Sequence, residues 1–463
     1  MKKITLAFLL LGAFAAKAQE TKNDTIKAVT IESLKETLED HSMKFSGFEE
    51  RFLTAESLLD KLSKIKITGY LQAQYEMYDN WSADGTKHGV APTSGARPTT
   101  NTFFIRRARV KFTYEALDGV KFVLCPDFTI DKFSVKDAYA VLNDRWTNTF
   151  SLYLGQFNRI TYDNEYSSAS REFAERTLMT RTLYPTEREV GVKFEADFNT
   201  QYEFPLKLQF AMFNGNFGEG AVASQQKDVD NAKDFMARAV YSLRMPKQGL
   251  VVDFGGHTYL GKTTVIDNTT TTTKTTIDPS TGVNTSVTTT LPSKFTDVNN
   301  NTFTPALGDM FNKELFAAEM QAYYDFLGGM SLKGEYIRGT YSGTTNAAQV
   351  NSLFNANKVR NVEGYYLSLI KNVGKKHEAS VRYDVFDPNT KLSGNKVITS
   401  DDLKYHNWTF TWQYFFDENV KIMACYIMPI NEKSTGITGS SNTDFINRDK
   451  RDNIFTLRLQ ASF

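Results

Sequence analysis

The sequence has little cysteine: two in 463 residues. Cys125 and Cys425 lie too far apart to staple a chain of this size, and neither sits in a CxxC or Cys/His spacing of the kind that holds zinc. Both read as strand residues. A dominant charge is also missing. There are 54 Lys and Arg against 53 Asp and Glu, a net charge of +1, so nothing global attracts nucleic acid. Beyond the N-terminus there are no long apolar runs, and the mean hydropathy of −0.39 excludes a bundle of membrane helices. It does not exclude a membrane protein whose strands are apolar only at every second residue. No nucleotide motif or plug domain is evident, so neither a cofactor nor energy coupling is expected. Aromatic residues, in contrast, are plentiful, with 35 Phe and 22 Tyr.

The N-terminus carries an export signature. Lys2 and Lys3 precede a short apolar run from Ile4 to Ala16, followed by Ala16-Lys17-Ala18. A basic segment, a short apolar segment and an A-x-A site form a cleavable signal peptide, and the run is too short to span a bilayer. The expected organisation is a signal peptide at 1–18, a periplasmic helical segment at 19–66 and a β-domain at 67–463.

Within the second segment, Ile31, Leu38, Phe45, Phe52 and Leu59 recur at one heptad position. Leu34, His41, Phe48, Ala55 and Leu62 occupy another. A 3–4 spacing sustained this long keeps one stripe against a partner helix, which is the requirement of a coiled coil. A short coiled coil joining subunits is expected. A single amphipathic helix on its own domain is the alternative.

After Ile65 the period changes to two. Phe104, Ala108, Val110, Phe112 and Tyr114 share one face, and Arg107, Arg109 and Lys111 the other. In the last segment, Phe455, Leu457, Leu459, Ala461 and Phe463 oppose Thr456, Arg458, Gln460 and Ser462. The pattern fits lipid outside and water inside, or the reverse in a soluble sandwich. Loop lengths decide between them. Roughly sixteen strands are separated by connections that alternate long (79–101, 158–187, 215–232, 261–311, 342–359, 387–402, 431–449) and short. One connection on the long side, 130–134, is itself short. An even strand count with loops sorted by length indicates an all-β fold, a 16-stranded antiparallel transmembrane barrel of the bacterial outer membrane.

Two connections differ from the rest. Residues 263–290 are Thr-rich and are expected to be a mobile surface loop. Residues 158–187 carry a helical pattern, with Phe173, Leu178 and Met179 able to pack. Arg171/Glu175 and Glu172/Arg176 are spaced for i, i+4 pairs. A structured insert there would fold inward and narrow the barrel.

The stretches FFIRRARVKF (103–112), DAYA (137–140), LYLGQF (152–157), FAERTL (173–178) and PTEREVGVKF (185–194) resemble the phosphate-selective porin O/P family. The terminal Phe463 fits the assembly signal of such barrels, and the heptad segment is similar to that of Bacteroidetes-type members. The resemblance implies a homotrimer of 16-stranded barrels, an inward-folded third loop, and an anion path lined by Arg and Lys for solutes such as phosphate. Carried onto this chain, the wall cations are Arg107, Arg109, Lys111, Lys121 and Lys193, and the loop cations Arg159, Arg171, Arg176 and Arg181. Guanidinium holds phosphate oxygens bidentately, whereas Lys offers a point charge.

The acidic residues temper that expectation. Asp163, Glu165, Glu172, Glu175 and Glu187 share the loop, and Glu115, Asp137, Glu195, Glu319, Glu335 and Asp384 share the inner face. An Arg already paired cannot also trap phosphate. A general diffusion porin is therefore one alternative, and a barrel anchoring a surface-binding role is another. Catalysis is not expected, because His41, His88, His257, His377 and His406 form no local motif. The expected surroundings are outer-membrane lipid, with no nucleic acid.

Overall fold

The computed structural model describes residues 31–79, 100–128, 133–184, 187–215, 231–265, 269–277, 284–292, 294–342, 358–437, 449 and 452–463. The signal segment lies outside them. The chain divides into two units, Met1–Lys64 and Ile65–Phe463. In the first, Ile31–Ser63 is one continuous helix. Leu38, Phe45, Phe48, Phe52, Leu59 and Leu62 of the heptad stripe are exposed along it.

Among the described residues the second unit has twenty strands in chain order: β1 Ile65–Tyr78, β2 Asn101–Leu117, β3 Val120–Phe128, β4 Phe133–Asn143, β5 Phe150–Asn158, β6 Arg188–Asp197, β7 Leu206–Phe213, β8 Asp234–Met245, β9 Leu250–Thr264, β10 Thr269–Ile277, β11 Asn284–Pro292, β12 Phe295–Thr296, β13 Thr302–Phe303, β14 Met310–Tyr324, β15 Met330–Ser342, β16 Val359–Val373, β17 His377–Asp387, β18 Tyr405–Phe415, β19 Val420–Asn431 and β20 Ile454–Ser462. Sixteen of them, β1–β9 and β14–β20, close into one antiparallel barrel. Closure is made by β1 on β20. Gly69 and Phe463 exchange both backbone hydrogen bonds there, at 2.9 Å each. The Phe463 ring lies where a Cβ on Gly69 would sit, so the seam requires glycine at that point.

The segments form strands because bulky residues alternate with polar ones, and their faces are inverted relative to a soluble protein. In β18, Trp408, Phe410 and Trp412 face outward and are exposed, while Asn407, Thr409, Thr411 and Gln413 point inward and are buried. β20 repeats this, with Leu457 and Leu459 outside and Thr456, Arg458 and Gln460 inside. A soluble sandwich would bury the aromatic face. Among the described residues no helix is long and apolar enough to cross a membrane; here the crossing elements are strands.

Two features go beyond the sequence expectations. The Thr-rich segment is not a structureless loop: β10 and β11 pair antiparallel from Thr269↔Pro292 to Ile277↔Asn284. Threonine is β-branched, and a run of it favours extended backbone even without an apolar face to bury. In addition, the period of two breaks in β2, where the register against β1 slips between Gln72 and Ala73. This bulge turns Arg106 into the lumen beside Arg107, although simple alternation assigns Arg106 to the lipid face.

Leu154 lies at the middle of β5 and is 63% exposed. Leu154→Arg should cost about 2–4 kcal/mol if the site faces the bilayer midplane. Urea titration of folding in lipid vesicles measures this, and a variant as stable as wild type would refute the orientation of β5.

Candidate pore constriction

Residues 159–187 leave β5 and turn into the lumen. Two short helices give the segment shape. Thr161 caps Tyr162–Glu165 by accepting from the Asn164 backbone N–H at 3.1 Å. Thr177 caps Leu178–Leu183 by accepting from that of Thr180 at 3.2 Å. Ile160, Leu178, Met179, Leu183 and Tyr184 are buried against wall residues that include Phe213, Tyr259, Ile337, Val362 and Phe386. Gly364 in β16 leaves the room that Met179 fills, since a Cβ there would sit 2.7 Å from the Met179 sulfur. Leu178 and Met179 therefore pack as expected, and Phe173 is buried beneath the Arg382 guanidinium.

The expected i, i+4 pairs do not form, because 171–176 is not helical. The two glutamates reach the barrel wall instead. Arg106 donates from Nε and Nη2 to the two carboxylate oxygens of Glu175 at 2.8 and 2.9 Å, with Arg107 3.9 Å and Arg458 3.5 Å from that carboxylate. Lys333 of β15 holds Glu172 at 2.6 Å, and Arg238 of β8 holds Glu165 at 2.9 Å. Loop carbonyls are tied as well. Gln460 donates to Ala169 at 3.0 Å, Arg458 to Ala174 at 2.8 Å and Arg382 to Glu175 at 3.0 Å. The loop is thus fastened to strands on several sides of the lumen.

These contacts set the ionisation of the loop acids. Burial opposes the charge on Glu175, but Arg106, Arg107 and Arg458 outweigh it and hold the carboxyl well below its usual range. Glu187 behaves alike, with burial overcome by Arg176, Arg188, Arg171 and Arg109.

The structure sorts the anticipated cations into paired and unpaired sets. Arg109 donates to Asp127 at 2.8 Å and to the Tyr70 hydroxyl at 2.9 Å. Arg159 is bonded to Glu189 at 2.8 Å, with both side chains fully buried. Arg176 is paired with Glu187 and lies 3.8 Å from Asp163. Lys193 lies between Glu165 and Glu195, at 3.4 and 3.2 Å, over the Tyr153 ring. Arg107 donates to Gln72 at 2.9 Å. Lys121, half exposed, lies 3.8 Å from Glu115. Among the described residues, no acidic partner lies within salt-bridge distance of Lys111, Arg171 or Arg181. Arg171 is only 5% exposed, and none of its guanidinium nitrogens has a hydrogen-bond partner. Burial, followed by the charge of Arg176, brings its guanidinium down to about 10.

Beside the loop, a polar cavity of about 320 Å³ is lined by Arg109, Lys111, Asp137, Glu165, Arg176 and Arg188. Sequence reading missed Arg106 because of the bulge. Arg238, Lys333 and Arg458 had the right parity, but their partners lie on other strands or on the loop, at separations no local pattern reveals.

No protein-family model matches the chain, and no curated protein does. Solved structures share its fold. OprB of Pseudomonas putida aligns with a TM-score of 0.50 at 11% identity, over 89% of this chain and 96% of its own. The outer-membrane channel DcaP of Acinetobacter baumannii gives 0.49 at 10% identity, over 86% and 97%. The anion-selective porin of Comamonas acidovorans gives 0.47 at 11%, over 86% and 99%. At such an identity the likeness to OprB is one of fold alone. The closed barrel with its apolar outer face is that of a bacterial outer-membrane protein.

Glu175→Ala should strip three arginines of their shared counter-charge. It should destabilise the protein by about 3 kcal/mol, the low end for breaking a buried pair because the lumen is hydrated, and shift the reversal potential toward anions. The pH response has a defined sign. A carboxyl held low contributes its stabilisation above its unfolded value of about 4.3 and loses it only as pH falls through the folded value. The loop should therefore stay docked at pH 4 and release only well below it. A conductance step already present at pH 5 would contradict this.

Proposed function

We propose that the chain is a passive outer-membrane porin that conducts small hydrophilic solutes past the 159–187 constriction, with a preference for small anions, phosphate among them. The observation that carries this reading is the closed 16-stranded barrel whose lumen is polar and holds an inward-folded loop. Lys111 and Arg171 supply the anion preference. Neither has an acidic partner within salt-bridge distance among the described residues, and the first lines the 320 Å³ cavity. A permeating anion needs several weak stations rather than one deep trap, and unpaired cations placed apart meet that need. The resemblance to phosphate-selective porins supports the same reading.

A general diffusion porin is the second reading. It is favoured by the pairing of Arg109, Arg159 and Arg176, whose charge is already spent on Asp127, Glu189 and Glu187. The reversal potential in a planar bilayer under a KCl gradient separates the two. Anion preference, chloride current reduced by added phosphate, and loss of both effects in Arg171→Glu would establish the first. A potential near zero that ignores phosphate would establish the second.

We propose assembly as a homotrimer through the N-terminal helix, a reading supported by its unburied stripe of Leu38, Phe45, Phe52 and Leu59. Native mass spectrometry of the detergent-solubilised protein should report trimers, weakened in Phe45→Glu/Phe52→Glu. Monomers in the wild type would reject the assembly.

A further inference from the structure

We propose that His257, Glu319 and Glu335 form a binding site for a divalent metal ion of the zinc class on the inner barrel wall. Glu319 of β14 and Glu335 of β15 stand directly opposite each other in the ladder. His257 of β9 sits on the strand adjoining β14, where it faces Ala317, two residues from Glu319. One ligand atom from each of the three lies within 4.8 Å of the others. His257 Nδ1 is 3.6 Å from Glu335 Oε1 and 3.9 Å from Glu319 Oε2. Ligand atoms about 2.0–2.1 Å from a tetrahedral zinc lie roughly 3.4 Å apart, so a small side-chain rotation closes the site.

Like charges directly opposed across a ladder repel, and burial magnifies the cost. Arg238 relieves only one of them, donating to Glu319 at 2.6 and 3.1 Å. Glu335 is 4% exposed, and neither of its carboxylate oxygens has a hydrogen-bond partner. His257 Nδ1, aimed at both carboxylates, has none either. A bare carboxylate and a bare imidazole nitrogen converging on one point are what a cation satisfies.

The tautomer supports this. His257 Nε2 lies 3.0 Å from the Tyr184 hydroxyl. When Nε2–H donates to that oxygen, the Nδ1 lone pair is free to coordinate, and the outer hydrogen bond fixes the ring as in other metal sites. One imidazole nitrogen with two carboxylates suits Zn²⁺ better than Ca²⁺, which takes six or more oxygens. Because Tyr184 belongs to the constriction loop, the ion would brace the loop against the wall.

The test uses the full chain in detergent, stripped with EDTA and titrated with Zn²⁺ by calorimetry and thermal unfolding. The expected result is one Zn²⁺ per chain, with a melting temperature that rises on addition and falls on chelation. Glu335→Gln removes the unpaired charge and should fold without metal, yet lose the binding and the thermal response. Equal binding in Glu335→Gln would place the ion elsewhere and overturn the site. So would a wild type that ignores Zn²⁺, since the carboxylates would then share a proton instead. Neither readout depends on conduction, so failure here leaves the porin reading standing.

Discussion

Backbone hydrogen bonding in hydrocarbon governs this molecule. Lipid offers no partner to an N–H or C=O, so a strand can cross only if both of its edges are paired, and a sheet can cross only if it closes on itself. The seam between β1 and β20, ending on the Gly69–Phe463 exchange, completes that pairing. Once the barrel is closed, the pleat divides every strand between lipid and lumen. Trp408, Phe410 and Trp412 fall outside, and Asn407, Thr409 and Gln413 fall inside.

The polar interior then needs its own accounting. Charged side chains on the wall cannot be left bare in a narrow lumen, and the 159–187 loop supplies many of their partners. Glu175 answers three arginines, Glu172 answers Lys333, and Glu165 answers Arg238 and Lys193. The ion pairs that position the constriction therefore also consume charge that would otherwise select solutes. In the proposed porin, selectivity is left to the few cations outside these pairs. The same accounting singles out Glu335, an inner-wall acid whose carboxylate oxygens have no hydrogen-bond partner.

Much of the barrel was legible in the sequence because lipid imposes a strict period of two. All sixteen barrel strands fall close to where alternation and loop length place them, and the inward fold of the third long connection follows from Phe173, Leu178 and Met179. What the sequence hid was whatever depends on closure. The bulge at Gln72/Ala73 reverses the parity of Arg106 without any glycine or proline to announce it. The loop charges looked like helix pairs because their spacing is helical, but Glu172 and Glu175 meet cations of the wall, and Arg176 pairs with Glu187 instead. The Thr-rich tract looked unstructured because it has nothing to bury, although β-branching alone favours its hairpin. His257, Glu319 and Glu335 are joined only by neighbouring strands, which no local motif records.

The proposed function requires an open, passive path through a barrel narrowed by a salt-bridged loop. Single-channel recording in a planar bilayer tests it most directly, with wild type compared against a variant lacking residues 166–176. Discrete conductance steps without added ligand are expected in wild type, and larger steps in the deletion. A wild type that never conducts, or a deletion with unchanged step size, would contradict it.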